Sequence, residues 1–504
     1  MGASQSADTA PDSLTILFDP SELEALTRAF SKLVDPNTRA LIGLSAGLVP
    51  TFPWAALYRS MKELVQPPGG PVKFEHFLGA IAAVCKGRRS ERIASVAALY
   101  AVGPTEKLLS VSSLKNLLGD AAVAARSGDP SAPLADEVLA ALAADVLLGG
   151  GGVATPEQWA SWVGSQLPAL PQAHEIWLLQ YLCAFGRSPA PSATVTAAAT
   201  AATSGASPLP YMPPPLAAGV LDAVQEPLLV PAEGQAEGHE LLEPTSAWLI
   251  SLAIGAARPG AGTGAQAPSW RCLYASRTMG LSMNRFTHHA SGYAGPTLLV
   301  CLTEQGEVFG AYVDVALKAS EKYIGGSNCF LFTLLPHFHV YRPTTISKNY
   351  VLYNPPQTGV LATESYLKGK TASAPEVIGF GGQTARLRLS LEEDLNVLRW
   401  HHSCTTYSKH DHAAASLPEG PRKVRALELW GCGGADADAV MKALRERRTR
   451  DAQRAGKVDR VAMFGGGGGD WRGEDNVDKM ILETAGAHTF YSHTLEKLPD
   501  GERG

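Results

Sequence analysis

Two hydrophobic periods that cannot share one kind of element divide this chain. From residue 19 to 185 the apolar side chains recur every third or fourth position, as in Leu23, Leu26, Phe30 and Leu33. From 244 to 434 they alternate instead, as Leu387, Leu389 and Leu391 do with Arg386, Arg388 and Ser390. The first period gives a helix with one apolar stripe, and the second gives a strand with one buried face. The chain is therefore read as α+β: a helical first half, then a domain built on antiparallel strands.

Local signals place the helices. Asp19-Pro20-Ser21-Glu22 supplies an N-cap, a proline at the first helical position and an acid at the third. Trp54 to Val65, Phe74 to Val84, Glu91 to Tyr100 and Ser112 to Leu118 follow with helical spacing, and Thr155-Pro156-Glu157-Gln158 opens another helix with a capping box. Helix, short loop, small apolar strand, helix is the layout of an EF-hand. Calcium needs oxygen ligands at loop positions 1, 3 and 5 and a glutamate at 12. The loop from Asp35 offers Asn37, then Arg39, and ends on Ala46; the stretch from Pro104 to Val111 holds one acid, Glu106. The expectation is an EF-hand-like scaffold without calcium.

A Pro/Ala/Ser/Thr-rich linker occupies 186–243 and is expected to let the halves move relative to each other. Beyond it the expected strands are PTLLVCLTE, EVFGAYVDVAL, CFLFTLL, ARLRLSL and VRALELWG, with helices at Thr245 to Ala256 and Ser282 to Ala290. A helical tail fills 435–504.

The glycine run in VIGFGGQTARLRLSL invites a nucleotide reading. A phosphate loop needs a helix directly after its glycines, and here a period-two strand follows, with no Lys-Ser or Lys-Thr pair. The glycines are read as allowing close backbone packing. The net charge of −5 gives no basic field for nucleic acid. None of the seven cysteines forms a CxxC pair, which points to a reducing compartment. The first residues lack a basic patch followed by an apolar run, so no secretory leader is expected, and no apolar run reaches membrane-spanning length. The first residues, MGASQS, match the pattern that exposes Gly2 for N-myristoylation.

Other clusters are weighed against plainer roles. HHSCTTYSKHDH gathers His401, His402, Cys404, His410 and His412 in a zinc-like composition, but neighbours on a strand face opposite ways, so no metal site is assigned. The pairs His288/His289 and His337/His339 are read as surface or packed histidines. Ser282 and Cys404 have histidines nearby in sequence but no nucleophile-elbow motif. No catalytic residue and no cofactor is assigned. The run Arg445, Arg447, Arg448, Arg450 and Arg454 is interrupted by Glu446 and Asp451 and is read as a solvated helix face. Met480, Ile481, Ala485 and His488 fall at roughly helical spacing, a face suited to a partner's groove.

Six segments, in order, resemble the TLDc domain family: LYASRTMGLSMNRF, GPTLLVCLTEQGEVFGAYV, NCFLFTLLP, VIGFGGQTARLRLSLEEDL, SCTTYS and LELWG. The whole chain is similar to one branch of that family, the animal mTOR-associated and fungal telomere-capping-restriction branch. That branch joins a Met-Gly acylation site (here 1–18), a helical EF-hand-like half (19–185), a TLDc domain (244–434) and a helical tail. Asp314 to Lys318 depart from the pattern, standing where many members carry a tryptophan. The resemblance implies a β-sandwich-type domain with flanking helices and a non-enzymatic, cytoplasmic regulator or adaptor, peripheral on lysosomal, vacuolar or other endomembranes. It further implies binding to the vacuolar-type proton pump, with a role in mTOR-type nutrient signalling or the oxidative-stress response. The alternative is a peroxide-reactive redox enzyme using Cys404 or Cys301.

Overall fold

The computed structural model describes residues 12–33, 71–102, 108–125, 135–147, 152–187, 226–231, 241–255, 269–355, 377–392, 394–410 and 418–464, with 57, 60, 61 and 64. Contacts divide the chain into residues 1–441 and residues 442–504.

The first half is helical, as its period requires. Its described elements are α1 (Asp12–Thr15), α2 (Pro20–Leu33), α3 (Phe74–Cys85), α4 (Arg89–Tyr100), α5 (Val111–Ala125), α6 (Asp136–Leu147), α7 (Pro156–Gln166) and α8 (Leu170–Arg187). The caps read from sequence form. Asp19 N–H donates to Glu22 Oε2 at 3.1 Å. At α7, Thr155 Oγ1 accepts from Gln158 N at 3.2 Å while Thr155 N donates to Gln158 Oε1 at 2.9 Å. Most of the expected helix at Trp54 to Val65, and most of the linker, lie outside the described residues.

The second half continues with β1 (Leu228–Val230), α9 (Pro244–Ile254), β2 (Ser269–Ala275), α10 (Ser276–Met279), α11 (Met283–Ala290), β3 (Thr297–Thr303), β4 (Val308–Val313), β5 (Phe330–Leu335), β6 (His339–Tyr341), β7 (Val351–Asn354), β8 (Val377–Gln383), β9 (Arg386–Glu392), β10 (Val397–Trp400), β11 (Gly420–Gly431) and α12 (Gly434–Phe464). Strand order is β6-β5-β4-β3-β11-β10-β9-β8-β7, with β2 beside β11 and β1 beside β2. Every pair is antiparallel except β1–β2. Strand β11 is long enough to serve two sheets: Gly420–Lys423 pair with β10, and Val424–Gly431 pair with β3.

Alternation then sorts the side chains into two cores. Leu299, Cys301, Phe309, Ala311 and Leu331 meet Ile378, Phe380, Leu389, Leu391 and Trp400 in a core between the two sheets. Their neighbours Leu298, Val300, Val308, Tyr312, Phe330 and Phe332 face the other way and join the core of the helical half. Among the described residues the helical half and the sheet therefore share one core. The cause is the apolar outer face of the sheet, which needs a cover. Helix α9 completes that cover. Its residues Thr245 to Ile254 are buried on every side, as a helix apolar all round must be. No described helix is long and apolar enough to cross a membrane.

Residues 442–504 are described by the α12 segment alone up to Phe464. Arg447 pairs with Asp451 at 3.8 Å and Arg450 with Glu446 at 3.9 Å, both exposed and one turn apart. Such pairs contribute only about 0.3–0.5 kcal/mol, in keeping with a solvated face.

Candidate functional site

The densest cluster of chemistry-bearing groups lies where the helical half meets the edge of the sheet. Strand β6 is an edge strand and would leave backbone groups open to pairing. The helices cover it instead. Phe338 N donates to Ala141 O of α6 at 3.3 Å, and Val340 N donates to Gln166 Oε1 of α7 at 2.6 Å. Arg342 sends Nε to Ser165 O at 2.6 Å and Nη2 to Gln166 O at 3.1 Å and Ala253 O at 2.8 Å. One cation thus satisfies carbonyls at the C-terminal ends of α7 and α9, where the helix dipole is negative.

Inside this seam sits a buried carboxylate. Asp145 Oδ2 lies 3.2 Å from His339 Nδ1 and accepts from Trp162 Nε1 at 2.7 Å; Oδ1 lies 2.8 Å from His410 Nε2. The two imidazoles stack with centroids 4.1 Å apart. Burial alone would push the Asp145 carboxyl up, but the hydrogen bonds from His339, His410 and Trp162 outweigh it and hold it well below the usual carboxylate range. Among the described residues these three groups are the cluster whose donor atoms stand close enough for a shared metal ion, all within 4.8 Å of one another. Next to them Tyr341 packs on His339 at 4.8 Å and on Trp400 at 5.2 Å. Arg388 stacks on Trp400 at 4.5 Å and on Tyr341 at 5.1 Å; its Nε and Nη1 have no hydrogen-bond partner, and burial pushes its pKa down to about 10.

The histidine-rich segment is not brought together as its composition suggested. His401 Nδ1 lies 3.9 Å from Glu419, the His402 N–H donates to Glu419 at 2.7 Å, and Cys404 Sγ accepts from Tyr407 N at 3.2 Å. Among the described residues of this segment His410 alone enters the buried cluster, where Asp145 stands 265 residues before it and 194 before His339. His412 lies outside the described residues, as do Gly2, Met480, Ile481, Ala485 and His488. His339 could have been singled out as a histidine in an otherwise apolar strand, but nothing in sequence pairs it with Asp145.

The glycine run behaves as read. Strand β9 follows β8 with Gln383 opposite Arg386, and no helix opens there. Gly381 and Gly382 have positive φ, and a side chain there would meet the Tyr407 ring at 2.6 Å and Arg386 O at 2.4 Å. The other TLDc-like motif residues also hold structure. Buried Glu428 accepts from Leu241 N at 3.1 Å, Leu242 N at 3.3 Å and Trp430 Nε1 at 2.9 Å. Ser276 Oγ accepts from Leu427 N at 2.8 Å, and the Tyr274 hydroxyl bonds to Gly280 O. Of the seven cysteines six are buried, Cys404 being half-exposed. Burial pushes Cys272 and Cys329 up to about 12 and Cys301 higher still, so these thiols are poor nucleophiles.

Comparison with known proteins agrees with the motif order. Residues 238–433 match the model of the TLDc domain. The MTOR-associated protein MEAK7 of Danio rerio is 28% identical over 166 residues, covering 32% of this chain and 33% of that protein. Its Homo sapiens counterpart is 23% identical over 235 residues, covering 46% and 42%. Oxidation resistance protein 1 of Bos taurus is 28% identical over 141 residues, covering 28% of this chain and 14% of its own length. The chain thus spans less than half the length of each of these relatives.

Proposed function

This chain carries a TLDc domain, and from that premise we propose that it is a non-enzymatic regulator or adaptor working at lysosomal, vacuolar or other endomembranes. The observation that carries the reading is the TLDc match joined to relatives named as an MTOR-associated protein and an oxidation resistance protein. Its partners are the vacuolar-type proton pump and an mTOR-type kinase pathway. The motif residues support an adaptor because Tyr274, Ser276 and Glu428 spend their polar groups on backbone within the fold.

Myristoylated Gly2 supplies membrane affinity, with an association constant of roughly 10⁴ M⁻¹ for one chain. The TLDc domain and the tail around Met480, Ile481, Ala485 and His488 add the protein contact. Together they gain about 10²-fold or more through effective concentration. The EF-hand-like reading of the helical half draws support from the antiparallel bridge between Leu109 and Ala154, in the α4–α5 and α6–α7 loops. Calcium has no role in this reading, since residues 148–154 read LGGGGVA and carry no side-chain oxygen.

The test is a membrane-fraction pull-down with the full chain and with Gly2→Ala, read by mass spectrometry. Recovery of pump subunits, with membrane recovery weakened by Gly2→Ala, is the expected result. Recovery of neither pump nor membrane overturns it. The exposure of Cys404 favours one rival, peroxide chemistry at that thiol. Peroxide turnover lost in Cys404→Ser would establish the rival, whereas partner binding retained in Cys404→Ser agrees with the adaptor.

A further inference from the structure

We propose that Asp145, His339 and His410 form a binding site for a divalent transition-metal ion, zinc foremost, that clamps α6 onto the edge of the TLDc sheet. The inference starts from donor number. One ligand atom from each of the three residues lies within 4.8 Å of the others, and the two imidazoles face different oxygens of Asp145, so a carboxylate binding through both oxygens supplies the fourth donor. Zinc binds nitrogen and oxygen at about 2.0–2.2 Å, which sets neighbouring donors roughly 3 Å apart. The observed Nδ1–Oδ2 and Nε2–Oδ1 separations are 3.2 and 2.8 Å. Two imidazoles with a carboxylate suit zinc, copper or nickel rather than magnesium or calcium, which prefer all-oxygen shells.

A second observation concerns the surroundings. Trp162 Nε1 donates to Asp145 Oδ2 at 2.7 Å from outside the cluster, the kind of outer hydrogen bond that orients a ligating carboxylate. All three side chains are buried, with exposures of 6%, 2% and 3% for His339, Asp145 and His410. The site is therefore closed, as structural metal sites are, and has no open position for a substrate. On binding, each imidazole presents the lone pair of its Asp145-facing nitrogen to the ion, and a proton held on that nitrogen leaves to solvent or to the other ring nitrogen. The ligands lie on α6, on β6 and in the segment after β10, so the ion would tie the helical half to the domain at two points.

The experiment uses the full-length chain, stripped with a chelator and then refilled with zinc chloride or cobalt chloride. Bound metal is counted by plasma mass spectrometry, coordination is read from the cobalt ligand-field spectrum, and stability from the melting temperature. The expected result is about one ion per chain, a four-coordinate cobalt spectrum without thiolate bands, and a melting temperature several degrees higher with zinc than with chelator. His339→Gln and His410→Gln should each abolish uptake while far-ultraviolet circular dichroism is kept. If the wild-type chain takes up neither metal and melts alike with zinc and chelator, the cluster is a hydrogen-bonded lock and the proposal falls. Thiolate-to-cobalt bands, or uptake that survives both substitutions, place the ion elsewhere and overturn it as well. Should a variant fail to fold, the wild-type count and spectrum decide.

Discussion

Removing the Arg342 guanidinium should loosen the seam between the two halves more than any other single truncation of a half-exposed side chain there. Its Nε and Nη2 make three bonds of 2.6 to 3.1 Å to carbonyls of Ser165, Gln166 and Ala253, and its plane also lies 5.6 Å from the Phe330 ring centre. Hydrogen bonds to a charged group contribute about 1.5–3 kcal/mol each. Three at the lower end would sum to about 4–5 kcal/mol, and partial exposure plus water entry reduces that to about 2–4 kcal/mol for Arg342→Ala. Arg342→Lys should recover less than half, because one ammonium cannot fork between two helix ends. The assay is equilibrium urea unfolding of the full chain, with hydrogen exchange at Val340, whose N–H donates to Gln166 Oε1 at 2.6 Å. Exchange there should accelerate in both variants. A loss below about 1 kcal/mol for Arg342→Ala, or a lysine as good as the arginine, would refute the clamp argument.

Other outcomes follow from single contacts. Gly310→Ala should destabilise by about 1–3 kcal/mol or more, seen as a lower urea midpoint, because a Cβ there would stand 1.9 Å from Phe332 Cζ in the packed β4–β5 pair. His174 is buried with Nε2 3.2 Å from Leu117 O, and burial lowers its pKa below the unfolded value. The unfolded chain therefore binds the extra proton first, and this contribution to stability is present above about pH 6.5 and lost as pH falls below it. The urea midpoint of His174→Gln should accordingly depend less on acid than that of the wild type, and an equal dependence would contradict the assignment. Native-state alkylation followed by peptide mapping should modify Cys404 first, with Cys85, Cys183, Cys272, Cys301, Cys329 and Cys432 reacting only after unfolding.

What the sequence determined by itself were the local choices. Spacing decides helix or strand because a helix and a strand present side chains with different periods, and the Thr155 to Gln158 box and the β8–β9 hairpin form where their residues stand. The TLDc motif order was equally legible, since each motif lies within a short run. Tertiary structure decided what covers each face. Alternation in β3 to β5 announces two apolar faces, yet nothing local says that one meets a second sheet and the other meets the helices and α9. The same limit hid the buried cluster. His410 was visible only among histidines that the fold then sends elsewhere, and Asp145 sat in a helix with ordinary amphipathic spacing. Their meeting depends on chain separations of 194 and 265 residues. Only packing the apolar sheet face against the helical half brings such groups within hydrogen-bond distance, because the burial that closes the seam is a property of surfaces rather than of neighbours in sequence.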